Sequence, residues 1–430
     1  MANPSDPLPC TKSQMHPAHA KWLMTPLTSP LVRARVEPMK VFLIVLDSVG
    51  IGAAPDADAY GDAGAATLPH CAEAVGGLRL PTLQAMGLGN IPDLLPGGLP
   101  IAGVEPALRP SASWGALQEL SQGKDTTTGH WEMAGVLLEK GFHVFSPEPP
   151  SFPAALIDSF TARTGRGILG NCAASGTRII QDLGTRHMES GDWIVYTSAD
   201  SVFQIAAHEE IIPLEELYTA CRTARELCDP LRVGRVIARP FVGADPEHFT
   251  RTENRRDFSL APPRPMILDH LQAHGIRTVT VGKLDDIFAG QGIDRSEHVE
   301  NNHDAQRIVL EIANESESQF VFVNLIDFDM LYGHRRDPDG YASALENSDA
   351  FLSELLPKLG PEDCLMITAD HGNDPTFNGT DHTREFVPLL VYRPERVGQN
   401  VGIRHGFFDV AQSVASLFGV PPMPRGFSYC

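Results

Sequence analysis

An adjacent carboxylate and imidazole, Asp370 and His371, follow the short apolar run 365–367, and a second imidazole, His382, stands eleven residues further on. Oxygen and imidazole donors at this spacing are the ligand types of a divalent cation. Neighbouring side chains on a strand point to opposite faces, so Asp370 and His371 can serve one site only where the strand ends and the backbone turns. Gly372 is expected to permit that turn. Taken alone, the pair fits a loop carrying a structural histidine better than a metal site, since histidine is more often structural than ligating.

Two other strand ends carry the same chemistry. Residues 41–46 are six consecutive apolar residues, the pattern of a strand buried on both faces of a parallel sheet, and Asp47 follows at the carboxyl end, where ligands of open α/β sheets bind. The apolar run FVFVNLI ends in DFDMLYGHRRD, where Asp329 and His334 could meet one metal if the chain turns at Tyr332 and Gly333. Three carboxylates and three imidazoles without sulfur suit two divalent ions, Mn²⁺, Zn²⁺ or Mg²⁺. Ions about 4 Å apart stabilise the attacking and leaving oxygens of phosphoryl transfer. The nucleophile would come from GKDTTTGHWE, which reads as a helix N-terminus capped by Thr or Asp. A free hydroxyl there is too weak a nucleophile unless it is activated.

The elements that must position these groups form an α/β succession. Residues 1–38 are rich in proline, serine and threonine and lack apolar periodicity, so they read as a disordered extension, with Met39 as a candidate start of the folded protein. Residues 39–140 give a first core segment with a helix over 67–75. Residues 141–262 read as an inserted α+β domain, in which Cys221 and Cys228 lie on the apolar stripe of a helix. The proline-rich LAPPRP closes that insertion, and residues 263–430 return to alternating helices and strands, with 365–368 as the last core strand.

Composition narrows the function. With 430 residues, 42% of them hydrophobic, the chain can bury a large core, and a net charge of −20 disfavours nucleic acid and anionic membranes as partners. An anionic substrate then needs local positive charge from metals or arginines. The seven cysteines are scattered without a CxxC, which argues against a disulfide framework and places the chain in a reducing cytosol. No apolar run reaches the ~18 residues of a membrane span.

In collinear order, MKVFLIVLDSVGIG, GKDTTTGHWE, YTSADSVFQIAAHEE, GRVIARPFVG, DFDMLYGHRRD and TADHGNDPTFNGTDHTRE resemble the phosphopentomutase family of the alkaline phosphatase superfamily. The resemblance covers about 39–430 and leaves 1–38 outside the family pattern. It implies an alkaline-phosphatase-like core, a mostly parallel sheet between helices, with an inserted α+β cap. It implies that Thr126 is the phosphorylated nucleophile, that Asp47, Asp370 and His371 hold one manganese ion, and that Asp329, His334 and His382 hold another. Ser198 and Asp200 would contact ribose, and Arg235 and Lys283 phosphate. The implied reaction interconverts (deoxy)ribose 1-phosphate and (deoxy)ribose 5-phosphate through a bisphosphate, primed by glucose 1,6-bisphosphate or a similar sugar bisphosphate, in cytoplasmic nucleoside and pentose phosphate salvage. Small-molecule pentose phosphates would be its partners. Cofactor-independent phosphoglycerate mutase shares the metal logic but uses serine as nucleophile, and the metal ligands alone would also fit a phosphatase or phosphodiesterase.

Overall fold

Strand Lys40–Leu46 is buried along its whole length, so it needs a neighbour on each edge and cover on each face. In the computed structural model, which describes residues 39–198 and 201–430, its neighbours are Gln319–Leu325 and Cys364–Thr368, both parallel to it. Arg277–Val281 and Arg295–Glu297 extend the parallel part on one side. The expectations for residues 1–38 and for Asp200 lie outside the described residues.

The other side of the sheet corrects one expectation. Residues 365–368 do not end the core sheet, because Glu385–Tyr392 pairs antiparallel with Cys364–Thr368, Ser113–Gln118 pairs antiparallel with Glu385–Tyr392, and Asn400–His405 runs parallel to Ser113–Gln118. Pro388 disguised the first of these, since proline cannot donate to a ladder. Its position explains the tolerance: Cys364–Thr368 pairs only with residues 390–392, so Pro388 has a paired strand on one side, Ser113–Gln118.

Two groups of helices cover the sheet. Pro338–Leu355 packs with Thr67–Ala74, Pro81–Met86 and Asn302–Ala313, while Asp409–Leu417 packs with Thr126–Met133 and Ile267–Ala273. The expected helix over 67–75 is thus present as Thr67–Ala74. The class is α/β, with a mostly parallel sheet.

A second sheet is built from residues 168–259, in the order Ile168–Ala173, Trp193–Thr197, Val202–His208, Arg235–Val242, Thr250–Arg251, with Arg256–Ser259 also on Arg235–Val242. It alternates as a two-faced sheet should. Trp193 and Val195 join one apolar cluster with Phe160 and Phe203, and Ile194 and Tyr196 join another with Ile179 and Phe241. Helix Leu214–Cys228 covers the first cluster and buries Cys221 and Cys228 in it.

What the fold does for function follows from three strand directions. Lys40–Leu46, Gln319–Leu325 and Cys364–Thr368 are adjacent and parallel, in the register Leu46↔Leu325 and Val45↔Thr368. Asp47, the segment from Ile326 and the segment from Ala369 therefore leave the sheet at one edge.

Candidate metal centre

Two groups of donors meet at this edge. Ligand atoms of Asp47, Asp370 and His371 lie within 4.8 Å of one another, and so do those of Asp329, His334 and His382. The His371 and His382 ring centroids are 4.1 Å apart, and those of His334 and His382 4.8 Å, so the two groups adjoin.

Local backbone chemistry brings each group together. Ser48 adopts a left-handed φ of 71°, which costs a non-glycine residue about 1–3 kcal/mol unless its surroundings fix it. They do. Its N–H donates to Asp370 Oδ1 at 3.0 Å, and its carbonyl accepts from the Tyr341 hydroxyl at 2.9 Å and the Asn373 N–H at 3.1 Å. Asp47 is oriented by Asn324, whose Nδ2 donates to Asp47 Oδ2 at 2.8 Å.

His371 and His382 meet because the chain between them closes on itself. Gly372 and Thr383 exchange both backbone hydrogen bonds, at 3.0 and 2.7 Å, turning the eleven-residue spacing into spatial contact. Gly372 serves here for a different reason from the one expected. Its backbone is not left-handed, but a Cβ on it would lie 2.2 Å from Glu385 Oε1, so the need is for space.

Asp329 and His334 meet through a π-helical turn, Phe328–Gly333. The His334 N–H donates to the Asp329 carbonyl five residues back, at 3.2 Å, and His334 Nε2 comes to 3.1 Å from Asp329 Oδ2. The wider turn stacks residues five apart, a device common at functional sites.

The imidazoles are oriented as metal ligands usually are, with one ring nitrogen given to a carbonyl. His334 Nδ1 donates to the Thr380 carbonyl at 2.6 Å and His371 Nδ1 to the Gly372 carbonyl at 3.1 Å, which leaves Nε2 of each facing the carboxylates. Asn373 Nδ2 donates to Asp329 Oδ1 at 2.7 Å and fixes that carboxylate.

The electrostatics are unbalanced. Burial pushes Asp47 well above the usual carboxylate range, and the charges of Asp370 and Asp329 add to it. Burial acts the same way on Asp329, but the neighbouring His334 and His382 imidazoles outweigh it and hold Asp329 well below that range. The Asp329 carboxylate raises His334 to about 9. Burial lowers His371 and keeps it neutral. Asp47 Oδ1, Asp370 Oδ2 and His382 Nε2 are buried without a hydrogen-bond partner. Rings stand near the second of these, His130 Nδ1 at 3.2 Å and His371 Nε2 at 3.3 Å, without hydrogen-bond geometry. Buried acceptors left without donors are costly. A divalent cation fits what they lack, and the oxygen and imidazole donors present suit one.

Thr126 begins helix Thr126–Met133 beside this cluster, with Oγ1 3.1 Å from His371 Nε2. Asp125 is the cap, accepting from the Thr128 N–H at 3.1 Å and the Thr128 hydroxyl at 2.6 Å. Thr128 is thereby occupied and buried, while the Thr126 hydroxyl faces the donors. Gly129 allows the helix to come so close: a Cβ there would lie 2.3 Å from the Asp370 carbonyl oxygen.

The remaining expected contacts lie elsewhere. Lys283 is exposed at the same sheet edge, two residues beyond Arg277–Val281, and its charge acts on Asp47. Ser198 follows strand Trp193–Thr197 in the second sheet, half-buried, and Arg235 opens strand Arg235–Val242 there, 3.7 Å from Asp257. Neither makes a described contact with the six donors.

Several residues at the site were not singled out in the sequence. Asn324, Asn373 and His130 orient carboxylates or border them. Lys124 donates to both oxygens of Asp62, at 3.1 and 3.0 Å, and stands 3.3 Å from Asp381 beside His382. Buried Arg384 pairs with Glu119 and Asp56 and donates to the Gly123 carbonyl, tying the chain after His382 to the chain before Thr126. Lys124 and Arg384 were visible only as members of the motifs GKDTTTG and DHTRE.

The profile of the Metalloenzyme superfamily matches residues 39–422. Phosphopentomutase from Caldanaerobacter subterraneus subsp. tengcongensis is 52% identical over 392 residues, covering 91% of this chain and 97% of that protein. The chain belongs to the phosphopentomutase family. Phosphopentomutase from Syntrophotalea carbinolica is likewise 52% identical, over 88% of this chain and 94% of its own. As a member of this family the chain is an isomerase, an intramolecular phosphotransferase. Among solved structures, phosphoglycerate mutase of Leishmania mexicana is similar with a TM-score of 0.46 and 13% identity, over 92% of this chain and 98% of that one. No helix among the described residues is long and apolar enough to cross a membrane.

Proposed function

We propose that this chain interconverts ribose 1-phosphate and ribose 5-phosphate, and the 2-deoxyribose pair, with the phosphoryl group carried on Thr126. The observation that supports this most is the Thr126 hydroxyl, 3.1 Å from His371 Nε2 at the first turn of a helix and beside the two donor groups. Two manganese ions, one held by Asp47, Asp370 and His371 and the other by Asp329, His334 and His382, would neutralise phosphate charge and lower the pKa of a hydroxyl.

The chain's own residues do the rest. The first-turn N–H groups of helix Thr126–Met133 favour negative charge at Thr126. Asp125 holds the helix start, and Asn373 and Asn324 hold carboxylates in place. Ser198 and Asp200 bind ribose, and Arg235 and Lys283 bind the phosphate that is not transferred. A free hydroxyl of the sugar phosphate attacks phosphothreonine, so that a bond from phosphorus to the sugar oxygen forms as the bond to Thr126 Oγ1 breaks. The sugar bisphosphate reorients and returns its other phosphoryl group to Thr126, and the isomerised monophosphate leaves. Glucose 1,6-bisphosphate or a similar sugar bisphosphate primes the cycle. Residues 141–262 act as a cap that excludes water during transfer, which is what separates a mutase from a phosphatase. The setting is cytoplasmic salvage of nucleosides and pentose phosphates, with small molecules and no nucleic acid or membrane as partners.

The test is formation of ribose 5-phosphate from ribose 1-phosphate with Mn²⁺ and a bisphosphate primer, measured against phosphate release, together with phosphopeptide mapping. Thr126→Ala should lower isomerisation on the order of 10⁴-fold or more and abolish the phosphopeptide containing residues 125–128. Phosphate on Thr127 or Thr128, or normal turnover in the variant, would overturn the assignment.

A further inference from the structure

Residues 419–430 run along helix Asp409–Leu417 and are tied to it. The Phe427 N–H donates to Asp409 Oδ1 at 2.8 Å, and the Tyr429 N–H donates to Ser413 Oγ at 3.0 Å. The Tyr429 hydroxyl then reaches Met366 Sδ, at 3.5 Å, on strand Cys364–Thr368. Residues two apart on a strand share a face, so Cys364 lies beside Met366 under the same segment.

A second line of geometry leads to the same place. The antiparallel register Leu365↔Tyr392 sets Cys364 opposite Arg393, and Arg393 lines a surface cavity together with Tyr429 and Cys430. Cys364 is buried and Cys430 exposed, and both are free thiols. Cys430 lies next to Cys364 and, together with burial, raises the Cys364 thiol well above its ordinary value, while the Arg393 charge opposes this.

We propose that Cys364 and Cys430 form a modification site, an intramolecular thiol pair that hydrogen peroxide converts to a disulfide. Nothing in the isomerisation uses either residue, so the proposal stands apart from the catalytic reading. The exposed Cys430 reacts first. Its thiolate attacks one peroxide oxygen, the O–O bond breaks, and the departing oxygen leaves as water after taking up a proton, giving a sulfenic acid on Cys430. The Cys364 sulfur attacks that sulfur, its thiol proton passing to the departing oxygen. An S–S bond forms as the S–O bond breaks, and the second oxygen leaves as water. Two thiols lose two electrons in all, and one peroxide becomes two waters.

The geometry favours this pair over the other described cysteines. Cys71, Cys221 and Cys228 are buried and Cys172 is half-buried, so Cys430 is the exposed thiol among the described cysteines, and Cys364 lies under the segment that carries it. Residues 419–430 are already held over the strand, so little ordering is left for bond formation to impose. The bond would pin this segment to the strand that leads into Asp370 and His371.

The test treats the folded, full-length protein with a small excess of hydrogen peroxide, alkylates the remaining thiols, and maps peptides without reduction. The expected product is a crosslink between the peptides holding Cys364 and Cys430, about 2 Da lighter than their sum. The thermal midpoint should rise by about 5 °C and return on reduction. Cys430→Ser should give neither the crosslink nor the shift, with Cys364 still alkylated after unfolding. Cys430 oxidised past the sulfenic stage while Cys364 stays alkylatable, or a crosslink to another cysteine, would overturn the proposal.

Discussion

Two clusters of buried histidine in this protein are built to opposite specifications. In the second sheet, His187 Nδ1 donates to the Asp192 carbonyl at 2.6 Å and its Nε2 accepts from the His208 N–H at 2.8 Å. His208 Nε2 donates to the Gly243 carbonyl at 2.9 Å, and its Nδ1 accepts from the Glu210 N–H at 3.2 Å. Every ring nitrogen has a partner. At the edge of the first sheet, His382 Nε2, Asp47 Oδ1 and Asp370 Oδ2 are buried with none. The first arrangement stabilises a fold by satisfying polar groups on burial. The second sacrifices stability and makes sense only if something else supplies the missing charge, which is why unsatisfied donors at a sheet edge point to function where satisfied ones point to structure.

The contrast can be broken by exchanging the consequences. His382→Ala should lower isomerase turnover by at least about 100-fold, yet leave the stability of chelator-stripped protein within about 0.5 kcal/mol, because no satisfied hydrogen bond is lost. Steady-state assay and urea denaturation on the same sample read both quantities. A large loss of stability with little loss of turnover would make His382 a structural residue.

His187→Ala should do the reverse. It strands the His208 N–H and opens a cavity in the second sheet, so stability should fall by about 2 kcal/mol, while turnover of the folded fraction stays within about twofold. Unfolding that matches wild type would show that the two hydrogen bonds are not what holds this region.

The smallest expected effect is a pH dependence. Burial lowers the pKa of His187 below its ordinary value. A depressed group contributes stability that is present above the unfolded pKa of ~6.5 and is lost as the pH falls from there through the folded value. Since His187 gives one nitrogen to a donor and one to an acceptor, a second proton would cost it the His208 bond. His187→Gln should therefore flatten part of the stability loss as the pH falls below about 6.5, by no more than ~1.4 kcal/mol per pH unit. Denaturation series at several pH values would show an unchanged slope if His187 titrates normally in the fold.

The same contrast explains how much the sequence disclosed. The fully buried strand 41–46 was legible as an unbroken apolar run and 320–325 as one interrupted at Asn324, and the ends of such runs pointed to Asp47, Asp329 and Asp370. Strands Ser113–Gln118 and Asn400–His405 were not, because the first is only half apolar and the second is largely half-buried, with no apolar run to mark it. Glu385–Tyr392 was hidden by Pro388. At the site, donor identities were readable because residue type alone declares them. Their supports were not, since a pair such as Asn324 and Asp47 is separated by 277 residues and only the register of two strands unites it. The role of Gly372 was misread for a related reason: turn chemistry is local, whereas the carboxylate of Glu385 that excludes a Cβ there comes from a different strand.

The claim that the unpartnered donors await cations is tested most directly by calorimetric titration of chelator-stripped protein with Mn²⁺ at pH 7, repeated in buffers of different ionisation enthalpy. In the metal-free protein the Asp329 carboxylate holds His334 at about 9, so His334 is protonated at pH 7 and must release its proton to bind metal. The account predicts two equivalents bound, with net proton release, and one equivalent fewer in a His334→Ala, His382→Ala double variant. A single equivalent in wild type, binding without proton release, or unchanged stoichiometry in the double variant would contradict it.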